Sequence, residues 1–136
     1  MRLRLEDIAA GRSASHSFTV TQEDMAMFLR YSGDDSLIHT DPDFSARHGF
    51  REPIVYGGLM LAQLSRLLGT MMPGSCGIST GWSIQYKKPL YVGEEATLRA
   101  EVVHVSPATR SVSLKFEILR ENSIIATGKT ESLILE

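Results

Sequence analysis

Residues Gly58 to Met72 read GLMLAQLSRLLGTMM, and this stretch decides the fold. Leu59, Met60, Leu61, Ala62, Leu64, Leu67, Leu68 and Met71 leave only a thin polar stripe of Gln63, Arg66 and Thr70. A helix that is apolar on nearly every side needs other structure wrapped around it. The residues that follow supply the wrapping. Past Pro73-Gly74 the period changes to two: Ile78, Thr80, Trp82, Ile84 and Tyr86 alternate, then Ala96, Leu98, Ala100 and Val102, then Val112, Leu114, Phe116 and Ile118. Alternation of this kind marks strands. Gly93-Glu94, Ser106-Pro107 and Glu121-Asn122 supply the turns, and Ile124 to Leu135 makes the last strand. The expected class is α+β: one long antiparallel sheet curled around a central helix.

Upstream of that helix, Ser13 to Val20 alternates as a first strand, and Thr21-Gln22-Glu23-Asp24 reads as an N-cap followed by acids in a first turn. Met25, Phe28, Leu29 and Ser32 share one face of the resulting helix, which Gly33 can close in a left-handed conformation. Asp41-Pro42-Asp43 can start a short helical turn ending at Gly49. Glu52-Pro53 then forces an extended approach to the long helix.

The chain has 136 residues, the length of one ordinary domain, so a single domain over 1–136 and one site per subunit are expected. Charged residues at 22% and hydrophobic ones at 43% exclude disorder. With a net charge of -2 and no basic run longer than Lys87-Lys88, a nucleic-acid backbone has no electrostatic footprint to follow. Cys76 is the only cysteine, which excludes an internal disulfide and a thiolate cluster for zinc, and suits a reducing cytosol. Glu6 and Asp7 interrupt any signal-peptide core, and no stretch is long enough to span a bilayer. A soluble cytoplasmic protein is expected, with neither membrane nor nucleic acid as partner.

The segment that could carry chemistry is Ser32 to Pro42, SGDDSLIHTDP. Asp34 and His39 are five residues apart, which on a helix is about 500° of rotation and points them to different sides. Convergence therefore requires a loop, and Gly33 and Pro42 make a loop the expected state. Two accounts fit these residues. In the first, Asp34 caps a turn, Asp35 is solvated and His39 is a hydrogen-bonded structural histidine; Asp-rich turns are common, and from the residues alone this account takes the larger share. In the second, Leu37 and Ile38 pack inward and hold His39 in a cleft beside Asp34, where a His-carboxylate pair can activate water near neutral pH. No nucleophile motif competes, because Ser65 and Ser83 lack an elbow setting and Cys76 has no histidine nearby in sequence.

Gly57-Gly58 opens the long helix directly after Tyr56. Free backbone N–H groups at a helix start can bind a carbonyl that gains negative charge, and glycine lets a substrate approach the main chain. A sharp turn with tight helix packing explains the pair equally well. His16, His48 and His104 have no carboxylate at a meaningful spacing and read as structural or surface groups.

Three separated segments resemble, in order, the MaoC-like (R)-specific enoyl-CoA hydratases of the hot-dog fold: SGDDSLIHTDPDFS, GFREPIVYGGLMLAQLSRLLG and SIQYKKPLYVGEEATLRAEV. The likeness runs from about Val20 to the last strand. The family signature is Asp, any residue, Asn, Pro, any residue, His; here Asp34 and His39 match, while Ser36 and Leu37 replace the Asn and Pro. Serine retains a local hydrogen bond, and loss of proline loosens the loop. Tyr56 stands where many members have histidine, and Gly58 where relatives often carry a larger residue.

The resemblance implies a single hot-dog domain that adds water to a trans-2-enoyl-CoA and releases the (R)-3-hydroxyacyl-CoA, or runs the reverse dehydration. It implies Asp34 and His39 as the catalytic pair, the Gly57 N–H as oxyanion donor, and Tyr56, Gly58, Ala62 and Ser65 as candidate substrate contacts. No metal is implied, and no cofactor beyond the coenzyme A that belongs to the substrate. A homodimer is implied, with sheets paired edge to edge. Lys87 and Lys88 fit a solvated strand end better than a phosphate site. A hot-dog thioesterase is the second reading, weakened because Gly58 to Met72 contains no Asp or Glu; a non-catalytic acyl-CoA binding subunit is the third.

Overall fold

Thr21 starts the first helix by a reciprocal pair of bonds: its hydroxyl accepts from the Asp24 N–H at 3.1 Å, and the Asp24 carboxylate accepts from the Thr21 N–H at 2.9 Å. Gly33 closes the same helix with φ of 74°. The computed structural model describes residues 1–136. Its elements are β1 (Ser13–Thr19), α1 (Gln22–Ser32), α2 (Leu37–Thr40), α3 (Pro42–Arg47), α4 (Gly57–Thr70), β2 (Gly77–Tyr86), β3 (Glu95–Ser106), β4 (Ser111–Arg120) and β5 (Ser123–Ile134). A single 3-10 turn, Leu5–Asp7, precedes β1.

The strands form one five-stranded antiparallel sheet in the order β1-β3-β4-β5-β2. Irregularities between Val102 and His104, between Ile118 and Leu119 and between Ser79 and Gly81 interrupt the ladders. Such bulges increase local twist and bend, which helps the sheet curl. Leu64 and Leu67 of α4 are fully buried in one cluster with Leu98, Val112, Leu114, Ile118 and Ile125 of the sheet. The α+β expectation is met, with α4 as the central helix.

Three details differ from the sequence-based expectation. The long helix begins at Gly57 and ends at Thr70, because Pro73 disfavours helical geometry at the residue before it and Met71 has already left it at φ of -121°. The helix is also not wrapped on every side: Ala62 and Ser65 are exposed, while Leu59, Met60, Leu64, Leu67 and Leu68 are buried. In β2 the alternation does not track burial. Ile78, Trp82 and Tyr86 are all partly exposed. The bulge between Ser79 and Gly81 turns Ile78 to the outer face opposite exposed Leu133, while Trp82 and Tyr86 pair with buried Thr130 and Ala126 but lie on the edge strand, with no strand beyond to cover them.

Candidate active site

The segment after Gly33 is a loop only as far as Ser36; Leu37–Thr40 then makes one short helical turn, α2, where a loop was expected. This turn is held through its backbone. Ile38 carbonyl accepts from the Ile54 N–H at 3.1 Å and from the Ser45 hydroxyl at 3.2 Å, and the Thr40 hydroxyl donates to the Ser36 carbonyl at 3.1 Å. Leu37 therefore does not need to pack inward. It is 50% exposed, contrary to the expected inward packing, and Ile38 is half-buried.

His39 Nδ1 lies 2.8 Å from the Ile54 carbonyl oxygen. A carbonyl can only accept, so Nδ1 carries the hydrogen and Nε2 of the neutral ring keeps a free lone pair. The ring stacks on Tyr56 at a centroid distance of 4.2 Å. Tyr56 is buried, and its hydroxyl donates to the Asp34 backbone carbonyl at 2.6 Å. One aromatic ring thus ties the Asp34 loop to the histidine. Burial, with Asp34 and Asp35 adding, raises the Tyr56 pKa and keeps that donor protonated.

Asp34 itself is exposed. Ser36, through its hydroxyl and through an N–H donated to Oδ1 at 3.1 Å, holds the carboxyl below its ordinary range. Ser36 performs this anchoring directly on the carboxylate. These bonds also offset the unfavourable position of Asp34 beyond a helix C-terminus.

A cleft of about 390 Å³ opens beside the histidine. His39, Gly57, Ile54, Met60, Tyr86 and Leu90 are among the residues that line it. Gly57 is the first residue of α4, and its N–H makes no hydrogen bond within the chain, as expected for an unpaired donor at a helix start. His39 and Gly57 therefore share one cavity. Asp34 is not part of its lining, and neither are Tyr56, Gly58, Ala62 and Ser65. Tyr56 supports His39 from behind; the missing side chain of Gly58 makes room for Phe28, whose ring would overlap a Cβ there. Ala62 and Ser65 face outward on α4.

Sequence reasoning passed over Tyr86 as a site residue, and it lines the cleft; Lys87 and Lys88 border the same cleft and are exposed just past the end of β2, as a solvated strand end is. A Cβ on Gly57 would stand 2.5 Å from the Tyr86 ring carbon Cζ and hydroxyl. Gly57→Ala is therefore expected to displace the half-exposed tyrosine with little loss of stability. Misplacement at a reacting centre on this scale should lower kcat/KM on the order of 10²-fold, as steady-state kinetics beside a thermal melt will show.

The remaining histidines stay out of the cleft: His16 is bonded to Gln63 at 2.9 Å, His48 packs beside Phe44, and His104 is exposed. No three His, Cys, Asp or Glu side chains come together in a group that could hold a metal ion, and no helix is long and apolar enough to cross a membrane.

An apolar cleft holding a histidine with a free Nε2 and an unpaired main-chain donor is suited to acid–base chemistry next to a carbonyl. The MaoC-like domain family model matches residues 6–121. An (R)-specific enoyl-CoA hydratase from Aeromonas caviae is 32% identical over 125 residues, covering 91% of this chain and 93% of that protein. A 3-hydroxybutyryl-CoA dehydratase from Methylorubrum extorquens is 26% identical over 127 residues, covering 93% and 81%. Among solved structures, an (R)-hydratase from A. caviae involved in PHA biosynthesis superposes with a TM-score of 0.89 at 30% identity, over 95% of this chain and 98% of that one. Fold and relatives together define a hot-dog hydro-lyase of the hydratase and dehydratase class. The chain belongs to the MaoC-like domain family.

Proposed function

We propose that the protein adds water to a trans-2-enoyl-CoA to give the (R)-3-hydroxyacyl-CoA, and catalyses the reverse dehydration. The observation that carries this reading is the placement of His39 and the unpaired Gly57 N–H in one cleft. Asp34 lies outside the cleft lining but is tied to His39 through Tyr56, whose hydroxyl holds the Asp34 carbonyl and whose ring stacks on the imidazole. Its carboxylate, kept ionised by Ser36, and His39, with Nε2 free, together hold a water molecule. His39 takes a proton as the water oxygen bonds to C3, and a proton is returned to C2. The thioester oxygen, which gains enolate character, accepts from the Gly57 N–H. Apolar residues such as Met60 and Leu90 receive the acyl chain. The chemistry asks for no cofactor beyond the coenzyme A of the substrate.

Thioester hydrolysis is the competing chemistry on this architecture. The absence of any Asp or Glu in α4 favours hydration. With crotonyl-CoA, loss of the enoyl absorbance without release of free thiol supports hydration; equivalent thiol release would instead identify a hydrolase.

The same reading places the protein in the cytoplasm, consistent with its single unpaired Cys76, and makes it a homodimer. The edge strand β2 carries unpaired backbone groups beside exposed Ile78 and Trp82, and an edge of this kind invites pairing with another chain. Light scattering should give twice the mass of the 15.0 kDa chain. Trp82→Asp, which puts a charge on that edge, should shift the population toward monomer; an unchanged dimer would move the interface elsewhere.

A further inference from the structure

Tyr86 is the last residue of β2, and its backbone is fixed by pairing with Ala126 of β5. The next two N–H groups, of Lys87 and Lys88, both donate to the Ile125 carbonyl, so the base of the tyrosine is held firmly. Its ring lies over Gly57: a Cβ built there would be 2.5 Å from the Tyr86 hydroxyl. Two bond lengths further on, that hydroxyl is no more than about 5.5 Å from the Gly57 nitrogen. Two donors can bond one oxygen when they are separated by less than about twice a hydrogen-bond length, roughly 6 Å. The pair satisfies that limit.

The hydroxyl makes no hydrogen bond within the chain, although the ring lines the same cleft as His39. A donor without a partner beside a main-chain donor without a partner describes a two-point seat for one acceptor. Resting on the hydratase reading, we propose that the Tyr86 hydroxyl is a catalytic residue that donates the second hydrogen bond to the thioester oxygen, alongside the Gly57 N–H. Burial raises the Tyr86 pKa, so the phenol remains a donor throughout the neutral range. As C3 accepts water, negative charge moves onto the thioester oxygen, and a donor aimed at it strengthens in the transition state.

Tyr86→Phe removes only the hydroxyl and leaves the ring over Gly57. It should lower kcat about 10²-fold with KM nearly unchanged, as loss of one oxyanion donor does. A second readout does not depend on turnover. A chromophoric arylacryloyl-CoA such as 4-dimethylaminocinnamoyl-CoA absorbs at longer wavelength when its carbonyl is polarised, and the red shift on binding should be smaller in Tyr86→Phe. Equal kcat and an equal red shift in both proteins would overturn the assignment, as would a rise in KM alone. A Tyr86-dependent red shift in a wild type that hydrates nothing would uphold the donor while removing the hydratase reading.

Discussion

His39→Asn is expected to lower kcat by about 10²–10⁴-fold, the usual contribution of a positioned general acid–base group. The expectation follows from the tautomer. Nδ1 is committed to the Ile54 carbonyl at 2.8 Å, so the imidazole presents Nε2 alone to the cleft. Asparagine can still place a donor near that carbonyl but has no nitrogen that accepts and returns a proton. The fold should tolerate the change, because Ile38, Ser45 and Thr40 anchor α2 through bonds that do not involve the ring. Steady-state kinetics with a thermal melt check both halves: activity falls while the melting temperature moves little.

Asp34→Asn should produce a loss of similar size, about 10²–10⁴-fold in kcat. The amide oxygen can still accept from the Ser36 N–H, so the turn survives while the charge is lost. Because the Asp34 carboxyl is held below its ordinary range, its ionised form persists as pH falls through the usual carboxylate region. Its contribution to activity disappears only at lower pH, once the carboxyl is protonated. If the two residues share one water, the double variant should lose little more than either single one, as groups acting as a unit do. Full multiplication of the two losses would show independent roles.

Local signals carried most of the fold. Thr21 and Asp24 announced a cap, Gly33 a helix end, and Ser106-Pro107 and Glu121-Asn122 fell where β3 reverses into β4 and β4 into β5, whereas Gly93-Glu94 lies in the crossover from β2 to β3, which do not pair. Each of these features is fixed by neighbours a few residues away. The strand order was not legible, because the placement of β2 beyond β5 depends on contacts far apart in sequence. For the same reason, alternation in β2 suggested burial that an edge strand does not provide. The open side of α4 at Ala62 and Ser65 was likewise hidden, since the pattern of apolar residues cannot tell which face meets the sheet.

The candidate site divides along the same line. His39 and Gly57 were legible from residue type and position, and the cleft contains both. The inward packing of Leu37 was a local inference that failed, because hydrogen bonds to the Ile38 carbonyl anchor the turn instead. Tyr86 lies 29 positions beyond Gly57 in sequence and meets it only because β2 runs past the start of α4. The one available signal was an aromatic just before Lys87-Lys88-Pro89, where the strand alternation stops.

The most direct test is the enoyl thioester absorbance of crotonyl-CoA in the presence of the purified wild-type protein, with chiral resolution of the product. Decay of the absorbance with the (R)-3-hydroxy thioester as product is the predicted result. Unchanged absorbance with linear, branched and dicarboxylic enoyl-CoAs alike, while the thioesters still bind, would contradict the hydratase account and leave a binding module.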